Sequence, residues 1–278
     1  MSVIRKMMEI AHSKLDFAVA WLLIGAIFFA MRSCEYLKTA KDEGSKRTKV
    51  LRIKNFVFKK SGKIVPINST STDSADIVII VFEFQKNSER NQSVHMYRTK
   101  DKIMNPVLAW SRIIHRLFQS IPSVSGETKV CEFLSETGSV IDIDSKFVRT
   151  KLRAVVDLIG EVELGFGKDD IGLQSIRSGG AMAMFLSGVS EIIIKRVGRW
   201  KSDAFLEYIR EQVDSFTIGV SQKMLENKKF HHLNEKERNI LEAPSKDDIE
   251  DDDGENHVPF TVHYSPEIIL GDLEALTL

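Results

Sequence analysis

The chain has 278 residues, 43% of them hydrophobic, which is enough for one domain with extensions or for two small domains. Its 39 basic and 39 acidic residues give no formal net charge. The two cysteines and seven histidines show no spacing typical of a disulfide scaffold or a metal site, so we expect an intracellular location and no metal site.

The first 16 residues are too few for a separate domain and are interpreted as a lead helix or a remnant. The next 15 residues, 17–31, are all apolar. Because a membrane-spanning helix needs about 18 or more such residues, a buried helix is favoured over a membrane segment. We expect this helix to continue through residues 32–37, where Arg32 and Glu35 are three residues apart and would share a face.

The middle of the chain contains β-prone segments. Residues 50–53, 56–58 and 77–84 are rich in β-branched and aromatic side chains, and residues 93–98 can return beside the last of them. These segments predict a small antiparallel sheet of about three strands. The polar turn before residue 93 would place Lys86 in a hairpin.

The remainder predicts helices. Asn105-Pro106 begins one helix and Ser145 begins another. Four further helices are predicted at residues 176–187, 190–198, 203–213 and 215–226. The expected fold class is therefore α+β, mainly helical, with a small sheet. The acidic segment 227–278 is expected to be a largely disordered tail.

Charge is distributed unevenly along the chain. Residues 243–278 hold ten acidic residues and one basic residue, which leaves 38 basic and 29 acidic residues, a net charge of +9, in residues 1–242. A basic body with an acidic tail fits a protein that binds a polyanion, and the alternative is an ordinary solvated surface. The candidates for nucleic-acid contact are Lys46, Arg47, Lys49, Arg199 and Lys201.

Two residues of the last third could act on a phosphate group. Arg177 precedes Ser178-Gly179-Gly180, and its planar guanidinium offers a fork of donors that matches phosphate oxygens. Tyr208 borders an apolar stripe and could attack phosphorus as a nucleophile. Each also has a structural interpretation, as a surface arginine at a helix start and a core tyrosine.

These residues in this order resemble the catalytic domain of tyrosine recombinases, the phage-integrase family. The resemblance covers residues 17–226 and rests on Arg32 with Glu35, Lys86 in a hairpin, Ile176-Arg177-Ser178-Gly179-Gly180, Gly198-Arg199-Trp200 and Tyr208. The string from Gly198 to Arg210 is most similar to the recombinases of cryptons and of tyrosine-recombinase retrotransposons. It implies the integrase-like, DNA breaking-rejoining fold for residues 17–226.

The resemblance also implies a chemistry. Tyr208 would attack the scissile phosphate and form a 3′-phosphotyrosine link, with no metal or nucleotide. Arg32 and Arg177 would hold the non-bridging oxygens, and Lys86 would protonate the leaving 5′-oxygen. Glu35 would orient Arg32. Trp200 would occupy the place where many members have histidine.

Three departures from the family pattern bear on activity. Gln174 stands where the family usually has histidine, and an amide can donate a hydrogen bond but cannot shuttle a proton. The interval from Trp200 to Tyr208 is one residue shorter than in typical phage members. The separate helical domain that usually precedes the catalytic domain would have to fit in about 16 residues, so a truncated or degenerate enzyme is one expectation.

The resemblance implies double-stranded DNA as partner, self-association as a tetramer on DNA, no membrane, and a nuclear location in a eukaryote. Site-specific recombination is the first hypothesis. The alternatives are a non-catalytic DNA-binding protein derived from such a recombinase, with residues 181–197 as a helix-turn-helix around Gly188, and an interaction protein with a basic face.

Overall fold

The fold is built around the apolar helix near the start of the chain, in a computed structural model that describes residues 1–39, 48–84 and 90–201. This helix, α2, spans Lys14–Phe28, and its residues from Ala18 to Ile27 are buried apart from Trp21. It begins before the apolar run because Ser13 and Asp16 form a capping box at its first turn. The predicted buried helix is thus confirmed. Among the described residues, no helix is long and apolar enough to cross a membrane.

The helix does not continue into residues 32–37, and that prediction is wrong. Ala30 adopts φ 43°, and the amides of Ala30 and Met31 donate back to Ile27 O and Ala26 O at 3.2 and 3.0 Å. This is the Schellman arrangement, which satisfies the last carbonyls and turns the chain away from the axis. Arg32 therefore precedes a new short helix, α3, at Ser33–Tyr36.

Helices make up most of the regular secondary structure of the described residues. Besides α2 and α3, they are α1 Ser2–Glu9, α4 Pro106–Ser120, α5 Ser145–Ile159, α6 Glu161–Leu164, α7 Gln174–Leu186 and α8 Glu191–Gly198. Helix α2 packs against α1, α4 and α7, and α1 also packs against α5. The predicted starts at Pro106 and Ser145 are confirmed, with Asn105 and Asp144 as the capping residues.

The main sheet has four antiparallel strands rather than three, in the order β2-β1-β3-β4. Its strands are β1 Phe56–Lys60, β2 Lys63–Val65, β3 Ile77–Phe82 and β4 Gln92–Tyr97. Strand β2 was not predicted; it follows a tight turn in which Ser61 and Gly62 both have positive φ. A second sheet pairs β5 Glu132–Leu134 with β6 Val140–Asp142. The mainly helical α+β class with a small antiparallel sheet is confirmed.

Residues 50–53, predicted as a strand, lie outside the sheet. The amide of Leu51 donates to Glu35 O at 2.9 Å, and that of Ile53 donates to Thr128 O at 3.0 Å. The segment then enters a 3₁₀ turn at Ile53–Asn55. Its backbone groups are therefore satisfied by α3 and by the loop near residue 128 instead of by a neighbouring strand.

Candidate active site

Three segments that are far apart in the sequence meet around Arg177. Its Nη1 donates to the carbonyl oxygen of Ala30 at 2.5 Å, and its Nη2 donates to that of Gly198 at 2.6 Å. The Trp200 ring covers the guanidinium, 4.1 Å from ring centroid to Cζ. Arg177 thus joins the turn after α2, helix α7 and the end of α8. We call these segments' side chains Arg32, Glu35, Arg177, Arg199 and Trp200 the arginine cluster.

Two glycines allow these segments to approach so closely. A Cβ at Gly180 would overlap the Ile27 carbonyl oxygen of α2, so only glycine lets α7 lie against that backbone. A Cβ at Gly198 would overlap the Trp200 ring, which packs directly on the backbone there. The small residues that follow Arg177 in the sequence therefore serve contact between helices.

Arg32 and Glu35 lie beside this centre, at the start of α3. The Glu35 carboxylate accepts hydrogen bonds from the Arg32 backbone amide at 2.8 Å and from its Nη1 at 3.2 Å. The Glu35 side chain is 1% exposed, whereas that of Arg32 is 23% exposed. Arg32 is consequently the more accessible arginine of the arginine cluster.

Arg199 completes the arginine cluster from the other side. Its Nη2 donates to Glu35 Oε2 at 2.7 Å, and its Nη1 donates to the carbonyl oxygens of Phe29 and Val197 at 3.1 and 2.9 Å. Its guanidinium also lies over the Phe82 ring at 3.7 Å. Burial lowers the pKa of Arg199, and the Glu35 carboxylate acts in the opposite direction.

The buried position of Arg199 corrects its assignment as a DNA contact. Its side chain is 0% exposed, so it faces the protein interior. Its backbone is left-handed, with φ 58°, at the residue that ends α8, a position that usually holds glycine or asparagine. The sequence alone does not distinguish Arg199 from a surface arginine at a helix end, because its carboxylate partner lies 164 residues away in the chain.

Arg177 is likewise buried, at 2% exposure, which excludes the interpretation of a surface arginine. Gln174 lies three residues earlier, in the first turn of α7, and is exposed. Trp200 is half-buried. The structure therefore brings Arg32, Glu35, Arg177 and Trp200 together, with Gln174 on the adjoining helix turn.

An open groove of about 700 Å³ lies next to the arginine cluster. It is lined by Ser33, which follows Arg32, and by Gln174. Arg149 and Arg153 also line it, and Arg153 Nη1 lies 3.5 Å from a carboxylate oxygen of Asp169. The groove adjoins the arginine cluster through Ser33 and Gln174, and Arg32, Arg177 and Arg199 are not part of its lining.

The other predicted site residues fall in two groups. Tyr208, Lys86, Lys46 and Arg47 lie outside the described residues. The strands on either side of Lys86 pair antiparallel, with Phe82 opposite Gln92. The second group lies within the described residues. Lys201 is exposed, and Lys49 is half-buried and lines a separate groove of about 300 Å³.

Metal ligands are not grouped in the part of the chain that the structure describes. There, no three or more His, Cys, Asp or Glu side chains are arranged to hold a metal ion. Beside Arg177 and Trp200, the Glu35 carboxylate is paired with both Arg32 and Arg199. Three arginines and one carboxylate give this arrangement an excess of positive charge, which suits the binding of an anion.

Comparison with known proteins finds similarity among solved structures. No protein-family model matches the chain, and no curated protein matches it. Among solved structures, the chain is similar to the XerH site-specific recombinase bound to difH substrate in a pre-cleavage complex. The TM-score is 0.49 with 13% identity, over 77% of this chain and 50% of that chain. The present chain thus spans about half the length of that recombinase.

Proposed function

We propose that this protein is a site-specific DNA strand-transfer enzyme of the tyrosine recombinase type, either active or degenerate, and most like the enzymes of cryptons and tyrosine-recombinase retrotransposons. The observation that carries the proposal is the meeting of Arg32 and Glu35 with Arg177 and Trp200. Segments about 145 residues apart in the sequence are joined by direct hydrogen bonds at this point.

In the proposed reaction, the Tyr208 phenolate oxygen attacks the scissile phosphorus, and the bond from phosphorus to the 5′-oxygen breaks. Lys86 gives its proton to that oxygen, and the phosphate remains on Tyr208 as a 3′-phosphotyrosine. Attack by a 5′-hydroxyl reverses these steps and rejoins a strand. Phosphoryl transfer of this kind requires mainly positioned positive charge, which Arg32 and Arg177 would supply.

The burial of Arg177 requires a step before chemistry. With 2% exposure and the Trp200 ring over its guanidinium, Arg177 cannot reach a phosphate in the present arrangement. DNA binding therefore has to displace Trp200 or open the turn at Ala30. Arg32, at the edge of the arginine cluster, can receive the phosphate first.

The decisive experiment traps the covalent intermediate. The full chain is incubated with a pool of nicked DNA duplexes of randomised sequence, in which the cleaved fragment diffuses away and rejoining is blocked. We expect a protein–DNA adduct that survives denaturation, and sequencing of the captured DNA gives the target site. Tyr208→Phe should abolish the adduct, because the variant lacks the attacking oxygen.

Tyr97→Phe is the matched control. Tyr97 is 63% exposed on strand β4, so this change removes a phenol oxygen without touching the arginine cluster. The adduct should form normally in this variant. An adduct that persists in Tyr208→Phe would show that another residue is the nucleophile.

A non-catalytic DNA-binding protein derived from such a recombinase is the second candidate. It is favoured by the burial of Arg177 and Arg199, which both donate to backbone carbonyls in the manner of structural arginines. Salt-sensitive DNA binding without any adduct would support it.

The helix-turn-helix form of this second candidate finds less support. Helix α8 does have an exposed face, but that face carries Glu191, Ile192 and Ile193, with the two isoleucines 76% and 52% exposed. Arg196 is exposed on the same helix, but Glu191 and the two isoleucines suit neither phosphates nor base edges.

A further inference from the structure

We propose that Arg199 is a positioning residue that holds Arg32 in place through Glu35. The inference rests on the proposed function only for its kinetic consequence. The positioning of Arg32 by Arg199 involves described residues alone and can be tested without DNA.

The Glu35 carboxylate is shared between two arginines of different exposure. One oxygen, Oε2, accepts from the Arg32 amide at 2.8 Å and from Arg199 Nη2 at 2.7 Å, and the other, Oε1, accepts from Arg32 Nη1 at 3.2 Å. With Oε2 bound by two donors, the carboxylate cannot rotate, so Oε1 stays directed at the Arg32 guanidinium. Arg199 thereby determines where the exposed arginine is held.

A second set of contacts anchors the backbone that carries Arg32. Arg199 Nη1 donates to Phe29 O at 3.1 Å, within the turn between α2 and α3. Ala30, in that same turn, has φ 43°, a left-handed conformation that is strained for a non-glycine residue and therefore needs support from its surroundings. Together with Arg177 on Ala30 O, Arg199 provides that support.

Arginine suits this task better than lysine does. One planar guanidinium here serves Glu35, Phe29 O and Val197 O while its Cζ lies 3.7 Å from the centroid of the Phe82 ring. A lysine ammonium is a compact point charge without the planar fork, so it cannot reproduce this set of contacts. Phe82 ends strand β3, so the same guanidinium also ties the arginine cluster to the sheet.

The test measures how readily Arg32 reacts with an arginine-selective dicarbonyl reagent, followed by peptide mass spectrometry on the folded protein. In Arg199→Met, Arg32 should be modified about tenfold faster, the effect expected when a charge-assisted hydrogen bond no longer restrains local opening. Arg196→Met, an exposed arginine of the same helix, should leave the Arg32 rate unchanged. An unchanged or slower rate in Arg199→Met overturns the proposal.

Coupling through Glu35 is tested in a double-mutant cycle. In a Glu35→Gln background, adding Arg199→Met should change the Arg32 rate by less than about twofold, since the shared partner is already altered. An equal acceleration in both backgrounds would mean that Arg199 acts by general loosening. If Arg199→Met does not fold, Arg199→Lys replaces it, and a wild-type Arg32 rate in that variant overturns the proposal.

The kinetic readout separates this inference from the proposed function. At saturating DNA, Arg199→Met should form the covalent adduct at least about tenfold more slowly, with the DNA dissociation constant within about twofold of wild type. A wild-type protein that forms no adduct defeats the proposed function, while the modification rates still decide the role of Arg199. Normal adduct formation in Arg199→Met defeats the positioning role and leaves the proposed function intact.

Discussion

Buried arginines define the chemistry of the candidate site at the scale of single residues. Arg177 and Arg199 each donate to backbone carbonyls, and each has an aromatic ring on its flat face. A guanidinium can make both kinds of contact because it is planar and only weakly hydrated. These residues hold the segments together and also concentrate positive charge next to Arg32.

The negative charge of Glu35 stabilises the arginine cluster. Glu35→Gln would leave the buried Arg199 guanidinium without its carboxylate, and breaking a buried pair in this way costs about 3–5 kcal/mol. We therefore expect the free energy of unfolding to fall by about 3 kcal/mol, measured by urea denaturation.

The control for Glu35→Gln is Glu9→Gln. Glu9 pairs with Lys6 at 3.6 Å on the exposed side of α1, where an ion pair contributes at most about 1 kcal/mol. Equal effects of the two substitutions would contradict the buried ion pair described here.

The crossing of α7 over α2 is the contact between elements on which the arginine cluster depends. A Cβ at Gly180 would overlap the Ile27 carbonyl oxygen, so Gly180→Ala must push the two helices apart. We expect a loss of about 1–3 kcal/mol, the cost of overpacking, together with a displaced Arg177 and a changed Trp200 fluorescence.

Gly179→Ala provides the matched control on the same helix. A Cβ there would lie 3.9 Å from Ile27 Cδ1, an ordinary contact. Since alanine favours helix over glycine by about 1 kcal/mol, this variant should be as stable as wild type or more stable. Equal destabilisation by both substitutions would show that the approach of α7 to α2 is not the cause.

The start of α2 gives a pH dependence. Burial raises the pKa of Asp16, but the hydrogen bonds from Lys151 and Ser13 outweigh it and hold that pKa at about 2, below the ordinary 3.8. The ionised carboxylate thus stabilises the fold above about pH 4, and its contribution is lost as the pH falls towards 2. Asp16→Asn should reduce stability by about 1–2 kcal/mol at pH 6.

Denaturation across the acid range checks this assignment. The stability difference between wild type and Asp16→Asn should narrow between pH 4 and pH 2. Asp157→Asn, which removes an exposed ion pair with Lys168 at 3.3 Å, should change stability by less than about 1 kcal/mol throughout. A difference for Asp16→Asn that stays constant down to pH 2 would contradict the shifted pKa.

At the scale of the whole molecule, charge is separated along the chain. Residues 1–242 carry a net charge of +9, and the remaining residues are acidic. The described basic candidates, Lys49 and Lys201, are side chains that phosphates could reach, whereas Arg199 is not. Under the proposed function, DNA affinity should therefore depend on such lysines and fall steeply with salt.

Lysine substitutions test this expectation. Lys201→Gln and Lys49→Gln should each lower the slope of log affinity against log salt by about 1, because one phosphate contact and its released counterion are lost. Lys6→Gln, on α1, should leave the slope unchanged. Fluorescence anisotropy at several salt concentrations measures all three, and an unaltered slope for Lys201→Gln would remove that residue from the interface.

Local patterns in the sequence determined much of the fold. The apolar run predicted the buried helix α2, Pro106 predicted the start of α4, and the β-branched residues from Ile77 predicted the central strand β3. Such signals are readable because they depend on near neighbours in the chain. The order of Arg32, Glu35, Arg177 and Trp200 along the chain also predicted that these residues form one site.

Only the tertiary structure decided how those residues are used. The end of α2 depends on a left-handed Ala30 that the contacts from Arg177 support, and residues 50–53 leave the sheet because distant backbone groups satisfy them. Arg199 has a surface-like sequence context but a buried partner in Glu35. By itself the sequence determined the main helices and the central strand, because local propensity and periodicity encode them, and the order of residues along the chain pointed to the candidate site. Burial and pairing at the site were decided by contacts across more than 140 residues of chain, which no local pattern records.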